Sequence, residues 1–577
     1  MDSERRELAA LDESVVLAPL PQPAPVAEAG LLLPPVAIVP VLALGVAACG
    51  GGGAPTGSAP PTPPAPPPPP VITGASAGRI LAQGTMGATL PEIESVKSLG
   101  FAGWVGDQLA RPRATTFWDW LVAGGYNVTA NRDNTTGFDP AVWKQLVSSQ
   151  DQLRQRVGMA LLETLVVGID GINLSWRQFA MAAYMDILWD NAFGNYRDIL
   201  DKISTNAAMG SFLTFLGNRK ANASSGSVPD ENYARELLQL FTLGLYQLNP
   251  DGTQKLTGGN PTETYTQADI TGLARVFTGW VVNGSNNDTP DRYRLPMIQD
   301  AGRHELGVKT FLGTTIAAGT NGADSLKAAL DTIFAHPNTA PFVSRQLIQR
   351  LVTSNPSPAY VGRVAAVFAN DGAGVRGDMK AIIRAILLDS EARNDTAAQS
   401  STSFGKLREP IMRMTSWARA FGATSPSDAW PIGDTSSSSN RLAQSPGRSA
   451  SVFNFFRPGY TPPNTAIANA NLVAPEFQIT NEPSVVAYLN YMQSLMVNGA
   501  GDFKADYTSI LTKAADSQAL LDEVNLVLAA NQVSAATIAQ IKTAVDSIAT
   551  ATPANLLSRV YTAILLIMAS PEYISLK

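Results

Sequence analysis

The sequence predicts an all-α fold: a large multi-helix globular domain with a polar irregular insert and, ahead of it, a disordered N-terminal tether. Three observations lead there. Apolar residues recur at helical spacing over most of the chain beyond residue 75, as in Val142, Leu146, Leu153, Val157, Leu161 and Leu165. Helix-start signals stand in front of such runs, for example Thr89 and Glu92 as a capping box around Pro91. Alternating strand patterns are scarce. With 577 residues, 45% of them hydrophobic, and a mean hydropathy of +0.02, the chain can bury a large core, and residues 75 to 577 are long enough for two packed subdomains.

Charge and cysteine usage exclude several functions. Forty-two Lys and Arg against 48 Asp and Glu leave a net charge of −6 with no long basic run, so no nucleic-acid partner is expected. The single cysteine excludes an intramolecular disulfide and a thiolate metal cluster.

That cysteine closes an uncharged run, residues 29 to 48, with small residues just before it. Residues 1 to 48 resemble a bacterial lipoprotein signal, which implies lipidation of Cys49 and a membrane anchor there. An uncleaved membrane helix is disfavoured by Pro34, Pro35 and Pro40. Residues 49 to 74, Gly-rich and then Pro-rich, read as a spacer in extended polyproline form. Gly50 follows the cysteine where an Asp would imply inner-membrane retention, so the resemblance implies an outer-membrane address in the cell envelope.

In the folded part, Gly100 closes the first helix, and Asp139 and Pro140 open a long one running through Leu165. Others follow around Trp176 to Leu188, Tyr196 to Ile203 and Ala207 to Leu216. The chain centres on Pro229 to Gly244, where Asp230 caps a helix whose buried stripe is Ala234, Leu237, Leu238, Phe241 and Leu245; Thr266 to Trp280 packs beside it. Val281 to Gly313 is polar and turn-rich, with room for a short hairpin, and reads as a lid or binding loop. Helices resume at Ala323 to Phe334, Thr339 to Val352, Ala359 to Phe368, Asp378 to Leu388 and Phe404 to Phe421. An aromatic-bearing loop, Pro426 to Pro463, precedes four more. Gly372, Gly374 and Gly377 lack a preceding strand and read as a turn that hands Asp378 to the next helix as its cap.

The central helix start crowds Glu231, Asn232, Arg235 and Glu236, which is either a solvated face or a site. The chain has two histidines. His336, before Pro337, reads as a turn residue bonding a helix end, whereas His304 in HELGVK could act as base, acid or metal ligand, its pKa lowered by Lys309 or Arg303. A metal would need carboxylates such as Glu231, Glu236 or Asp269, but no spacing demands a metal or other cofactor, and their identity stays open.

The segment from Gly194 through Trp280, together with RQRVGMALLETLVV, HELGVKTFLG, HPNTAPFVSRQLIQRLVTS, GVRGDMKAIIRAILLDSEAR, FGKLREP, SVFNFFRPGY and SPEY, resembles the bacterial family known as domain of unknown function 1800. The resemblance implies an uncharacterised envelope protein, encoded beside members of domain of unknown function 1501, a sulfatase-like family that becomes the expected partner. Two readings follow. One is a surface- or periplasm-facing lipoprotein acting as a binding or assembly module. The other is an extracytoplasmic hydrolase-like enzyme, with Glu231, Glu236 and His304 catalytic and Asn232, Arg235 and Lys309 holding substrate. Convergence of these side chains on one pocket separates the two.

Overall fold

Short polar side chains set most helix starts. Thr89 and Glu92 form the reciprocal capping box, and Gly100, at φ 74°, interrupts the Leu90–Ala110 helix where an end was expected. Asp378 accepts the N–H groups of Lys380 and Ala381 to start Met379–Leu388. Repeated along the chain, such signals yield the mostly α-helical domain that the computed structural model shows for residues 71–577. The expected signal segment, Cys49 and the tether as far as residue 70 lie outside the described residues. The first described helix, Gly74–Gly84, is capped by Thr73, so helix begins at the edge of the expected tether.

Among the described residues are 24 α-helices and four antiparallel two-stranded sheets. Residues 72 to 577 form one compact unit with a continuous hydrophobic core from Ala77 to Tyr573. Trp104, Trp143, Trp176, Trp189 and Trp417 are fully buried in it. The two ends meet: Arg79 donates to the Lys577 carbonyl at 2.7 Å, and Ser575–Leu576 pairs with Lys406–Leu407.

Three elements differ from the periodicity. The long helix expected from Asp139 divides into Phe138–Ser148 and Gln152–Leu162, because Asp151 leaves helical geometry between them. The start of the expected 404–421 helix is instead the strand Lys406–Leu407, and helix begins only at Pro410, whose ring favours a first-turn position. The central helix is α-helical only over Asn232–Glu236 and continues as a π-helix over Leu237–Thr242, with the Leu243 N–H reaching back to the Leu238 carbonyl at 2.9 Å. The wider turn carries Leu243 fully into the core and leaves Leu245 half-buried, the reverse of an i, i+4 stripe.

A hairpin starts inside the polar insert and runs past its expected end at Gly313. Lys309–Phe311 pairs with Thr314–Ile316 across Leu312 and Gly313, whose φ values of 47° and 73° are those of a two-residue type I′ turn. Trp280–Val281 pairs separately with Ile298–Gln299.

The Thr339–Leu351 helix is buried along its whole length, yet it carries Ser344, Arg345, Gln346, Gln349 and Arg350. Helices buried on every side are ordinarily apolar all round, because each desolvated polar group is costly unless it finds a partner.

Candidate functional site

The structure separates the residues that the sequence groups. Glu231, Asn232 and Arg235 share the outer face of the central helix. Glu231 accepts from Gln267 Nε2 and Thr271 Oγ1, both at 2.7 Å, on the neighbouring Gln267–Ala274 helix. Arg235 lies 3.5 Å from Glu231 and donates to Gln267 Oε1 at 3.2 Å. The Asn232 N–H is capped by Asp230 at 2.8 Å. With both charges about one-third exposed, such a pair contributes only ~0–1 kcal/mol. Glu236 is buried on another face. Five residues along a helix turn through about 140°, so Glu231 and Glu236 cannot face one site from this backbone.

His304 and Lys309 form a second group, inside the polar insert. The His304 ring is buried, and its Nδ1–H donates to the Thr278 carbonyl at 2.9 Å. Burial lowers the His304 pKa and the Lys309 charge lowers it further, against the hydrogen bond to Thr278, which raises it. Lys309 is itself fully buried; desolvation lowers its pKa, opposed by Glu305. Arg303 turns away to pair with Asp300 at 2.8 Å. Among the described residues, Glu231 and Arg235 are tied to Gln267, Thr271 and each other, and His304 to Thr278, with no bond between the two groups. His336 accepts the Asn338 N–H at 3.1 Å, the turn role expected of it.

What the structure brings together instead surrounds the buried polar helix. At one end lies a small pocket, about 30 Å³ of free volume, between that helix and the π-helix, lined by Gln239, Leu240, Tyr246, Phe342, Arg345 and Gln346. Burial pushes the Arg345 pKa down to about 10. Gln346 Oε1 is buried without a hydrogen-bond partner among the described residues. Asn338 holds this wall, donating to the Leu243 and Tyr246 carbonyls at 3.1 and 2.8 Å and accepting the Leu248 N–H at 2.9 Å.

At the other end the helix enters a buried charge cluster. Lys406 Nζ lies 3.3 Å from Glu409, 3.1 Å from Glu476 and 2.8 Å from the Arg350 carbonyl. Arg350 Nη1 lies 3.7 Å from Glu163 and stacks on Phe456, 4.9 Å from its centroid. Arg156 donates to the Arg350 carbonyl. Burial and the Glu409 charge raise the Glu163 pKa well above the usual range, whereas at Glu409 burial is outweighed by the Lys406 charge together with the neighbouring Glu163, Arg156 and Arg350, which hold its carboxyl below the usual range. Four of the stretches behind the family resemblance meet here: RQRVGMALLETLVV with Arg156 and Glu163, HPNTAPFVSRQLIQRLVTS with Arg350, FGKLREP with Lys406 and Glu409, and SVFNFFRPGY with Phe456. The signal for it lies in the sequence, as charged and amide residues on every face of VSRQLIQR, but partners this far apart in the chain cannot be matched by spacing. No group of three or more His, Cys, Asp or Glu able to hold a metal occurs among the described residues.

A family model described as "Protein of unknown function (DUF1800)" matches residues 79–575. No curated protein and no solved structure matches the chain.

Proposed function

We propose, from the premise that the chain belongs to the DUF1800 family of unknown function, that it is a lipid-anchored binding or assembly module of the bacterial envelope. The observation that carries this reading is dispersal: Glu231, Asn232 and Arg235 sit in one exposed polar group, His304 and Lys309 in a buried one, and Glu236 on a third face. An acid–base site needs its groups within hydrogen-bond reach of one reacting atom. Binding needs no such convergence of acid and base groups on one atom. The anchor in this reading is Cys49, the address the outer membrane, and the partner a DUF1501-family protein; no helix among the described residues is long and apolar enough to cross a membrane.

Two measurements test it. Palmitate incorporation and membrane fractionation of the full chain and of Cys49→Ala should differ, with label and membrane association lost in the variant; a variant that stays in the membrane fraction removes the anchor. Titration of the mature protein with a DUF1501-family protein from the same cell should give a complex that survives His304→Ala. Absence of any complex removes the partnered role.

A further inference from the structure

We propose that the open groove between the Ser517–Ala529 and Ala535–Asp546 helices is the docking surface for a protein partner, which enters it as an amphipathic helix with an apolar stripe and basic flanks. The inference deepens the binding-module reading and rests on it for the partner being a protein. The two helices form a hairpin turned by Ala530 and Asn531, at φ 51° and 58°, and the Pro553–Ala569 helix packs against both. The groove has a volume of about 1010 Å³ and is bordered by Leu90 and Glu94 at the start of the Leu90–Ala110 helix. A second recess of about 410 Å³ shares Leu90 and Glu523 with it, so the two are lobes of one surface. Clefts that hold ligands are of this size, about 300–1,000 Å³. Leu90, Leu526, Val533 and Ile538 give the larger lobe an apolar floor, and Phe421, Ile510 and Val527 give one to the smaller.

The charges of the rim set the sign of the partner. Each lining cation is already held: Lys513 by Glu523, Lys542 by Asp546 at 2.6 Å, and Arg419 by Glu92 at 2.7 Å. Glu94 has Lys97 at 2.9 Å. Asp522 on the larger lobe accepts from Gln518 Nε2 at 2.8 Å, and Asp506 on the smaller accepts the Thr508 N–H at 2.9 Å. Both are exposed, and neither pairs with a cation among the described residues. One uncompensated carboxylate per lobe favours a Lys or Arg beside each apolar contact, the complementarity that orients an incoming partner. The walls then choose a helix over the other ways of holding a peptide. Strand addition needs the open edge of a sheet, and polyproline binding needs an aromatic-lined groove. Here no strand residue lines the surface, and Phe421 is the one aromatic among its lining residues. An apolar trough between two helices suits a third, whose residues at i, i+3, i+4 and i+7 reach the floor.

A model peptide tests the surface. The probe is a fluorescein-labelled 14-residue helix of Leu and Lys, with Leu at i, i+3, i+4 and i+7 and one benzophenone cross-linker on that stripe. A Leu/Glu helix of the same pattern and a scrambled Leu/Lys sequence are its controls. By anisotropy on the mature protein, the Leu/Lys helix should bind about tenfold or more tightly than either control, and less tightly as salt rises. Its cross-links should map to residues 513–542. Asp522→Lys and Ala539→Arg, both at exposed positions of the rim, should each weaken binding about tenfold while the melting temperature is unchanged. No binding, equal binding by the Leu/Glu helix, cross-links elsewhere, or affinity indifferent to both substitutions overturns the proposal. Self-association of the chain that either substitution abolishes assigns the groove to a second copy and overturns the partner helix. The reading beneath fails separately: a DUF1501-family complex that forms and ignores both substitutions removes the groove and keeps the module, whereas absence of that complex removes the module whatever the peptide does.

Discussion

Replacing Lys406 by Met tests whether the buried charge cluster is held by opposite charge. The ammonium is 2% exposed and lies between Glu409 and Glu476, whose side chains are 1 and 2% exposed. Methionine fills a similar volume but leaves two desolvated carboxylates and the Arg350 carbonyl short of a donor. Breaking a buried pair from one side costs about 3–5 kcal/mol, a large part of the ~5–15 kcal/mol that a folded protein has in hand. Unfolding about 500 residues at ~2.1 cal/mol/K each corresponds to an entropy of ~1 kcal/mol/K, so the melting temperature should fall by about 3–5 °C. Scanning calorimetry at pH 7 and pH 3 reads both size and sign. Burial raises the Glu409 pKa and the Lys406 charge is the largest of the influences that lower it, so without Lys406 the pKa moves up from its lowered position. Stability from a lowered carboxyl pKa is present above the unfolded pKa and lost as pH falls through the folded one, so the deficit is larger at pH 7 than at pH 3. A drop under about 1 °C, or an equal drop at both pH values, refutes the argument. In the double variant Lys406→Met/Glu409→Gln part of the loss should return, because one stranded charge has gone.

Other positions give separate tests. A Cβ on Gly272 would lie 1.8 Å from the Thr310 carbonyl oxygen, where neither backbone can yield easily, so Gly272→Ala should push the Gln267–Ala274 helix off the hairpin and cost ~1–3 kcal/mol or more by denaturant titration. Asn338→Ala leaves the Leu248 N–H and two carbonyls unpaired; a loss of ~1–3 kcal/mol and faster hydrogen exchange at the Leu248 amide are expected. Hydrogen bonds from Ser425 and Ser427 lower the Asp502 pKa from 3.8 to about 2. The stability this adds is present above pH 4 and lost as pH falls toward 2, so Asp502→Asn should flatten the acid limb of a melting-temperature profile; an unchanged limb would show that other carboxylates set it.

Much of the fold was legible because its signals are local. The Thr89–Glu92 box, the Asp378 cap and the Asp230 cap each act within a few residues, and the structure places each as its side-chain chemistry requires. The 140° between Glu231 and Glu236 was also within reach of the sequence, since it follows from helix geometry alone. The π-helix was not. Its apolar residues satisfy three-and-four spacing up to Phe241, and what changes is the hydrogen-bond partner of Leu243, which packing against the Thr339–Leu351 helix decides.

By itself, then, the sequence determined the helical class, the helix starts and turns, and the family, because propensity, capping and periodicity are properties of neighbouring residues. Only the tertiary structure decided where the chemistry sits. Arg156, Glu163, Arg350, Lys406, Glu409 and Glu476 span more than half of the chain, and nothing local distinguishes them from surface charges. Folding removes all six from water, and in that low-dielectric interior their distances to one another, which no spacing encodes, set which carboxyl keeps its proton.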